Sequence, residues 1–397
     1  MFMEPSMRWY GPNDQVPLSF IRQAGAEGVV TSLHHIPYGE VWSRDEIARR
    51  SAEIDSAGMF WNVVESLPVH EDIKLRSGDF RRHIENYRTS LRNLGSCGIH
   101  TVVYNFMPVL DWVRTDLRHR LPDGSEALYF NRREFAAFEL FILRRNGAEN
   151  DYPADTVAEA KAYFDALDAT GRDRLCRNII DNFPGFKGVT LDAVRAMLAR
   201  YSGVGRDELR ANLKAFLEAV VPTAEEAGVR LAIHPDDPPR SILGLPRIFS
   251  TQADIDWLLK AVDSPANCVN FCSGSFSGRL DNDIPAMFKS CASRVAFLHL
   301  RSTEHLGNGD FFEANHLEGV VDMYALVKLA AAEQKRRQET GRTDWRIPFR
   351  PDHGHTMMDD LAKPPCANPG YTAIGRMKGL AEIRGLEYAI MRAAAEL

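Results

Sequence analysis

The chain has 397 residues, which is enough for one large α/β domain with insertions or for two ordinary domains. Hydrophobic residues make up 45% and charged residues 26%, so neither a disordered nor a fibrous protein is indicated. Acidic and basic residues are interspersed and give a net charge of −6, with no basic footprint for nucleic acid and no polybasic membrane patch. We therefore expect a small-molecule partner, and neither nucleic acid nor a membrane.

The first residues contain no apolar run long enough to form the core of a signal peptide, and no later stretch is apolar enough to span a membrane. A cytoplasmic protein is therefore expected. The six cysteines lack CxxC spacing, so free thiols are expected in a reducing compartment.

Eight short runs rich in β-branched and aromatic residues recur along the chain, with helical patterns such as 43–58, 206–228 and 323–341 between them. These runs lie at 7–11, 28–35, 60–66, 101–106, 230–236, 268–275, 295–302 and 347–354. Most are continuous apolar runs, as in parallel strands that are covered on both faces. With a closing helix at 371–397, the pattern predicts one (β/α)₈ TIM barrel domain spanning 1–397.

The interval 113–205 is too long for a simple crossover between strands 4 and 5. It begins with a polar loop and is rich in helix formers, so we predict a helical insertion over the barrel mouth, where the βα loops emerge. A separately folded cap is the alternative.

Four consecutive predicted strands end in residues that can bind a metal ion: His234, Cys272, His299 and Asp352. The carboxyl ends of barrel strands meet at one mouth, and neighbouring strands lie about 4.8 Å apart, so these four residues can surround one ion. Thiolate and imidazole suit zinc, whereas the carboxylate and an open coordination sphere also suit Mn²⁺ and Fe²⁺. Ligand types alone leave the metal open.

Two arginines share faces with these ligands, because residues two apart in a strand point the same way. Arg301 then lies with His299, and Arg350 lies with Asp352. Each arginine could bind a substrate carboxylate through two hydrogen bonds, or it could be a surface charge at a strand end.

Two further residues could carry protons. His353 follows Asp352 and reaches the same mouth if the chain turns there, which Gly354 permits. Tyr371 follows a tight Pro–Gly turn before the last helical pattern, where it could donate or accept a proton or could serve only in packing.

Long motifs across the whole chain resemble those of mannonate dehydratases, which are metal-dependent sugar-acid lyases with a barrel similar to the xylose isomerase group. These motifs are MRWYGPND at 7–14, VVESLPVHEDIK at 63–74, YNFMPVLDWVRTDL at 104–117, LAIHPDDPP at 231–239, NFCSGS at 270–275, FLHLRS at 297–302, RPDHGH at 350–355 and NPGYTAIGRMKGLAEIRG at 368–385.

The resemblance implies dehydration of D-mannonate to 2-keto-3-deoxy-D-gluconate in hexuronate (glucuronate) catabolism, with Mn²⁺ or Fe²⁺ bound. It implies the metal ligands His234, Cys272, His299 and Asp352. It also implies His353 and Tyr371 as the acid–base pair, although their individual roles stay open. Asn105 lies in the third motif and joins Arg301 and Arg350 as an expected substrate-binding residue. A homo-oligomer is expected because such assemblies are common among cytosolic barrels of this size.

A metal-dependent aldose–ketose isomerase is the main alternative, because related barrels also bind divalent metals at the mouth. The thiolate ligand and the arginines count against it. Phosphoester hydrolysis would favour two or three ions and a basic groove, which the charge balance does not show. A third alternative is a metal-containing barrel that binds a ligand or regulates another process without turnover. Changing His353 or Tyr371 would then leave its measurable output intact.

Overall fold

The computed structural model describes residues 2–181 and 188–395. Residues 182–187 of the predicted insertion and 396–397 of the predicted closing helix lie outside the described residues. The strands are β1 (Glu4–Arg8), β2 (Gly28–Thr31), β3 (Phe60–Glu65), β4 (Thr101–Tyr104), β5 (Asp116–Arg120), β6 (Glu126–Phe130), β7 (Arg230–Ile233), β8 (Asn267–Cys272), β9 (Val295–His299), β10 (Thr303–Gly307), β11 (Asp310–Glu313) and β12 (Pro348–Arg350).

The helices alternate with the barrel strands and fill the long interval between β4 and β7. They are α1 (Leu18–Gln23), α2 (Arg44–Ser56), α3 (Glu71–Leu75), α4 (Phe80–Ser96), α5 (Arg132–Ala137), α6 (Ala154–Ala166), α7 (Ala169–Ile180), α8 (Leu191–Ala199), α9 (Arg206–Glu226), α10 (Gln252–Ala261), α11 (Ser273–Ser277), α12 (Ile284–Cys291), α13 (Met323–Glu339) and α14 (Ala373–Ala395). Within the described ranges, no helix is both long and apolar enough to cross a membrane.

Eight parallel strands close into one barrel in the order β1–β12–β9–β8–β7–β4–β3–β2, which confirms the predicted TIM barrel. β1 begins at Glu4, before the predicted run at 7–11. The reason is that the polar residues Glu4 and Ser6 are accommodated by Asn62 of β3, whose amide donates to both side chains at 2.5 and 2.7 Å. A search for apolar runs does not detect a strand that begins with polar residues.

The barrel strands are buried on both faces, as the continuous apolar runs predicted. One face of each strand packs against the surrounding helices in the main core. The other face of β2, β3, β4, β7, β8 and β9 contributes to a small separate cluster in the barrel interior: Val30, Val63, Val103, Ala232, Cys268, Ala296 and Phe297. This plug leaves the carboxyl ends of the strands as the place for polar side chains.

The interval 113–205 contains helices, as predicted, but also the hairpin β5–β6, which the sequence pattern did not predict. β5 has the sequence DLRHR and is mostly half-buried, so it lacks apolar alternation. The hairpin pairs with β10 and β11 in a four-stranded antiparallel sheet of order β10–β11–β6–β5. This second sheet joins the segment after β4 to the segment after β9, beside the barrel mouth.

Candidate active site

The structure brings the four predicted metal ligands together at the carboxyl end of the barrel. Ligand atoms of His234, Cys272 and His299 all lie within 4.8 Å of one another. Oδ2 of Asp352 lies 3.5 Å from Nδ1 of His299 and 3.6 Å from Sγ of Cys272. Adjacent strand ends of β7, β8, β9 and β12 position these side chains, as the strand-end pattern predicted.

The hydrogen bonds of these residues suit a divalent cation. Nδ1 of His234 lies 2.7 Å from the Pro235 carbonyl and donates to it, so Nε2 carries a lone pair. Sγ of Cys272 accepts from the backbone N–H and the hydroxyl of Ser275 at 3.4 and 3.1 Å, and it donates to Oδ2 of Asp352 at 3.6 Å. Nδ1 of His299 is buried and has no hydrogen-bond partner among the described residues. An unpaired buried nitrogen costs stability, and a bound cation would remove that cost.

The opposite nitrogen of His299 faces a carboxylate. Nε2 of His299 lies 3.4 Å from Oε2 of Glu65 at the end of β3. Nε–H of Arg350 donates both to Oε2 of Glu65 at 2.9 Å and to Nε2 of His299 at 3.1 Å. The side-chain nitrogen of Asn270 lies 3.1 Å from the same imidazole nitrogen. These contacts fix the orientation of the imidazole, so that Nδ1 faces Asp352 on the side where a metal ion would bind.

A second group with metal-binding side chains, His70, Asp72 and His83, has a different geometry. The two imidazole rings are stacked at 3.9 Å with an angle of 24° between them, so their in-plane lone pairs run side by side and do not converge. Nδ1 of His70 also accepts from the backbone N–H of Asp72 at 3.1 Å, which caps α3. Capping and stacking explain this cluster.

Arg301 and Arg350 line the same cavity as the ligands, but their hydrogen bonds run to protein carboxylates. Arg301 donates to Asp352 at 2.6 Å, to Glu313 at 2.8 Å and to Asp237 at 2.5 Å. Arg350 donates to Glu65 at 2.7 Å and also to Asp352. These contacts support a role in holding Asp352, and the predicted direct contact with a substrate carboxylate stays a prediction.

The two arginines also set the charge of Asp352. Burial alone would raise the pKa of this carboxyl, but Arg350, His353, Arg301 and His299 outweigh burial and keep the pKa well below its ordinary value. Asp352 is therefore ionised, as a metal ligand must be.

His353 reaches the cavity because Asp352 itself adopts a left-handed conformation, with φ of +63°. This corrects the prediction that Gly354 provides the turn. Gly354 is required for another reason, since a Cβ there would lie 2.4 Å from the backbone carbon of Gly375. Nδ1 of His353 lies 3.3 Å from Oε1 of Glu313, a buried carboxylate on β11.

Tyr371 faces His353 edge to face, with ring centroids 5.1 Å apart. The predicted turn precedes it, because Gly370 has φ of +80° and the Tyr371 N–H donates to the Asn368 carbonyl at 3.1 Å. The phenol oxygen lies 3.2 Å from both Asp352 and Arg350. Burial raises the pKa of Tyr371 well above its ordinary value, so the phenol keeps its proton.

A cavity of about 140 Å³ joins these groups, with His234, Asp352, His353, Tyr371 and Asn105 in its wall. Cys272 and His299 are fully buried behind it. The wall also contains residues that the sequence reasoning missed: Arg8, His34, Glu65, Asp111, Trp112 and Asp237. Arg8 and Glu65 end β1 and β3, so the rule that found the metal ligands could have found them. Glu313 gave no such signal, because it lies in the second sheet.

Comparisons with known proteins identify the family of the chain. The family model for D-mannonate dehydratase (UxuA) matches residues 3–396. The chain belongs to this family. It is 52% identical over 387 residues to the mannonate dehydratase of Marinomonas sp. (strain MWYL1), covering 97% of this chain and 98% of that one. It is 50% identical over 394 residues to that of Chromohalobacter salexigens, covering 99% of this chain and 100% of that one.

A solved member of the mannonate dehydratase family has the same fold. The crystal structure of mannonate dehydratase from Streptococcus suis serotype 2 matches with a TM-score of 0.78 and 35% identity, over 99% of this chain and 95% of that one. The match extends over the barrel and the long interval after β4 alike. The protein is therefore an enzyme of the mannonate dehydratase family.

Proposed function

We propose that the cavity binds D-mannonate and removes water from it to give 2-keto-3-deoxy-D-gluconate, a step of hexuronate (glucuronate) catabolism. The proposal rests on the placement of two imidazoles, a thiolate and a carboxylate beside a histidine–tyrosine pair in one cavity. The C2 proton and the C3 hydroxyl leave together as water, and the resulting enol ketonises to the 2-keto acid.

His234, Cys272, His299 and Asp352 would hold Mn²⁺ or Fe²⁺ in this proposal. Two neutral imidazoles, one thiolate and one carboxylate cancel the charge of a divalent ion. When bound, the ion supplies a Lewis acid that stabilises the negative charge developing beside the substrate carboxylate. Arg301 and Arg350 act as positioning residues, since they hold the Asp352 carboxylate in place.

His353 is the proposed general base, which takes the C2 proton. Its Nδ1–H points at Glu313, so Nε2 keeps the lone pair that removal of a proton requires. Burial alone would raise the pKa of Glu313, but Arg301 and Arg114 outweigh burial and hold the pKa below its usual range. Glu313 is therefore ionised and stabilises the imidazolium that forms when His353 accepts the proton.

Tyr371 is the proposed general acid, which gives its proton to the departing C3 hydroxyl. A phenol that stays protonated at neutral pH is a donor, and the raised pKa of Tyr371 meets this condition. The phenolate that remains is 3.2 Å from the Arg350 guanidinium, which stabilises the new negative charge. The pKa direction of Tyr371 thus supports an assignment of acid and base that the sequence had left open.

Asn105 is the proposed contact to substrate hydroxyls, and residues 113–205 are proposed to cover the barrel mouth. The edge of Trp112, next to this interval, packs on His353 with centroids 5.5 Å apart. We also propose a cytoplasmic location, which cell fractionation tests. We propose a homo-oligomeric state as well, which sedimentation tests.

The experiment is an assay for 2-keto acid formed from D-mannonate by metal-stripped protein that is resupplied separately with Mn²⁺, Fe²⁺, Zn²⁺ or Mg²⁺. We expect product with Mn²⁺ or Fe²⁺, loss of metal and product in Cys272→Ser, and loss of product with metal retained in Tyr371→Phe. Cys97→Ser and Tyr388→Phe, which change residues away from the cavity, are the controls. Folded, metal-bound protein that makes no product but interconverts an aldose and a ketose would establish the isomerase alternative.

A further inference from the structure

Three residues that line one wall of the cavity each have a buried polar atom with no hydrogen-bond partner within the described part of the chain. These atoms are Oδ1 of Asn105, Oδ1 of Asp111 and the indole Nε1 of Trp112, all buried and all within one segment after β4. Neither the metal cluster nor the proposed acid–base pair uses any of them.

The segment is held so that these atoms cannot easily turn to other partners. Nδ2 of Asn105 donates to Oδ2 of Asp111 at 2.6 Å, which fixes the orientation of the amide and engages the other carboxylate oxygen. Trp112 forms an isolated β-bridge with Asp237. The guanidinium of Arg114 lies over the indole ring of Trp112, 5.1 Å from its centroid. The wall is therefore preorganised before a ligand binds.

A buried polar atom without a partner destabilises the unliganded site, so a ligand that pairs with all three atoms gains binding energy. The set contains two acceptors and one donor. Hydroxyl groups both donate and accept, and a polyol chain presents several in a row. The cavity also has the apolar side chains of Leu33 and Ile36 in its wall, which can pack on the C–H groups of such a chain.

In the proposed reaction, C1 to C3 of the substrate would be engaged by the ion that the metal-ligand residues hold, by His353 and by Tyr371. The hydroxyls at C4, C5 and C6 do not. We propose that Asn105, Asp111 and Trp112 form a subsite that binds these distal hydroxyls and thereby selects the length and configuration of the sugar acid. This inference rests on the proposed function and adds the residues that determine specificity.

The test compares two substrates in each variant. D-Mannonate carries the distal chain, whereas a four-carbon 2,3-dihydroxy acid with the same configuration at C2 and C3 ends at C4. We expect Trp112→Phe and Asp111→Asn to lower kcat/KM for D-mannonate by about tenfold each, the effect of one lost hydrogen bond. For the four-carbon acid, the same variants should change kcat/KM by less than about twofold. Trp257→Phe on α10 is the matched control and should leave both values unchanged.

Equal losses on both substrates would overturn the inference, because they would show a general effect on the site. If the four-carbon acid turns over too slowly, its inhibition constant against D-mannonate replaces kcat/KM in the comparison. Melting temperatures and metal content of each variant separate misfolding from lost recognition. No turnover of D-mannonate by metal-loaded wild type would reject the proposed function itself, which is a different outcome.

Discussion

Glu313 links the charged network of the site to the proposed base. Its carboxylate accepts from Arg301 and from Arg114, at 2.8 and 2.6 Å, and lies 3.3 Å from Nδ1 of His353. Arg114 also donates to Asp237, so two arginines and two carboxylates form one fully buried group. Such a group is rigid as long as each charge keeps its partner.

We predict that Glu313→Gln lowers kcat by about tenfold or more, while KM changes less than about twofold. The loss stays below the full contribution of a general base, about 10²–10⁴, because His353 itself is kept. The neutral amide no longer stabilises the imidazolium of His353, but it leaves the substrate contacts in place. Steady-state kinetics give the result, and Glu333→Gln, a buried carboxylate on α13 paired with Arg337, is the control. Equal turnover by both variants would show that Glu313 serves the fold alone.

A second residue-scale prediction concerns stability at acid pH. Burial lowers the pKa of His316 to about 4, and its Nε2–H donates to the Pro351 carbonyl at 2.7 Å. In the unfolded chain, His316 has its ordinary pKa of about 6.5 and is protonated below that pH. Its contribution to the free energy of unfolding is therefore fully present above about pH 6.5 and is lost as the pH falls towards 4. The loss amounts to about 3 kcal/mol at most.

His316→Gln keeps a donor near the Pro351 carbonyl but cannot be protonated. Urea unfolding between pH 7 and 4 should therefore show a smaller loss of stability in this variant than in wild type. Identical pH dependence in the two proteins would contradict the assignment of a neutral, buried His316.

At the residue scale, the sequence predicted that four possible metal ligands would lie together, because each stands at or just after the end of a barrel strand. It did not predict Asp111 or Glu313, because these residues lie in segments whose path depends on tertiary packing. The arginines show the same limit. Side-chain parity predicted that Arg301 and Arg350 face the barrel mouth, where both line the cavity. It could not predict which carboxylates lie within hydrogen-bond distance of them.

At the scale of elements, the start of α14 and the loop after β12 are in backbone contact. A Cβ on Gly375 would lie 2.1 Å from the carbonyl oxygen of His355, so the helix and the loop that carries His353 approach as closely as glycine allows. The close approach fixes the distance between the proposed base and Tyr371, which precedes the helix.

We predict that Gly375→Ala destabilises the fold by about 1–3 kcal/mol or more and lowers activity, because backbone atoms must move apart. Gly385→Ala on the same helix is the matched control. A Cβ there has no heavy atom within 4 Å, so alanine should be neutral or stabilising by up to about 1 kcal/mol. Chemical unfolding measures both variants, and equal effects would contradict the packing argument.

The elements also show what a pattern of apolar runs can and cannot reveal. All eight barrel strands were predicted, because most strands covered on both faces are largely apolar, although the polar residues Glu4 and Ser6 hid the start of β1. The second sheet was missed because β5 and β10 are short and carry mostly polar, exposed or half-buried residues. Such strands form only because partners distant in sequence, such as Phe130 and Phe311 stacked at 5.5 Å, bring them together.

At the scale of the whole molecule, a bound ion would join four barrel strands that span residues 230–352 in sequence. A ligand that binds only the folded state stabilises it by about 2.7 kcal/mol at 100 times its Kd. We predict that Mn²⁺ raises the melting temperature of metal-stripped protein and of Cys97→Ser, but not that of Cys272→Ser. A shift of equal size in all three would place the ion elsewhere.

The most direct test of the proposed chemistry is the turnover of D-mannonate in D₂O, followed by ¹H and ¹³C NMR with metal-loaded wild type, His353→Gln and Tyr371→Phe. Wild type should form 2-keto-3-deoxy-D-gluconate with one deuterium at C3, delivered when the enol ketonises. Both variants should retain metal and form no product. Product from either variant at the wild-type rate would contradict the assigned roles, and a ketose formed without loss of water would contradict dehydration.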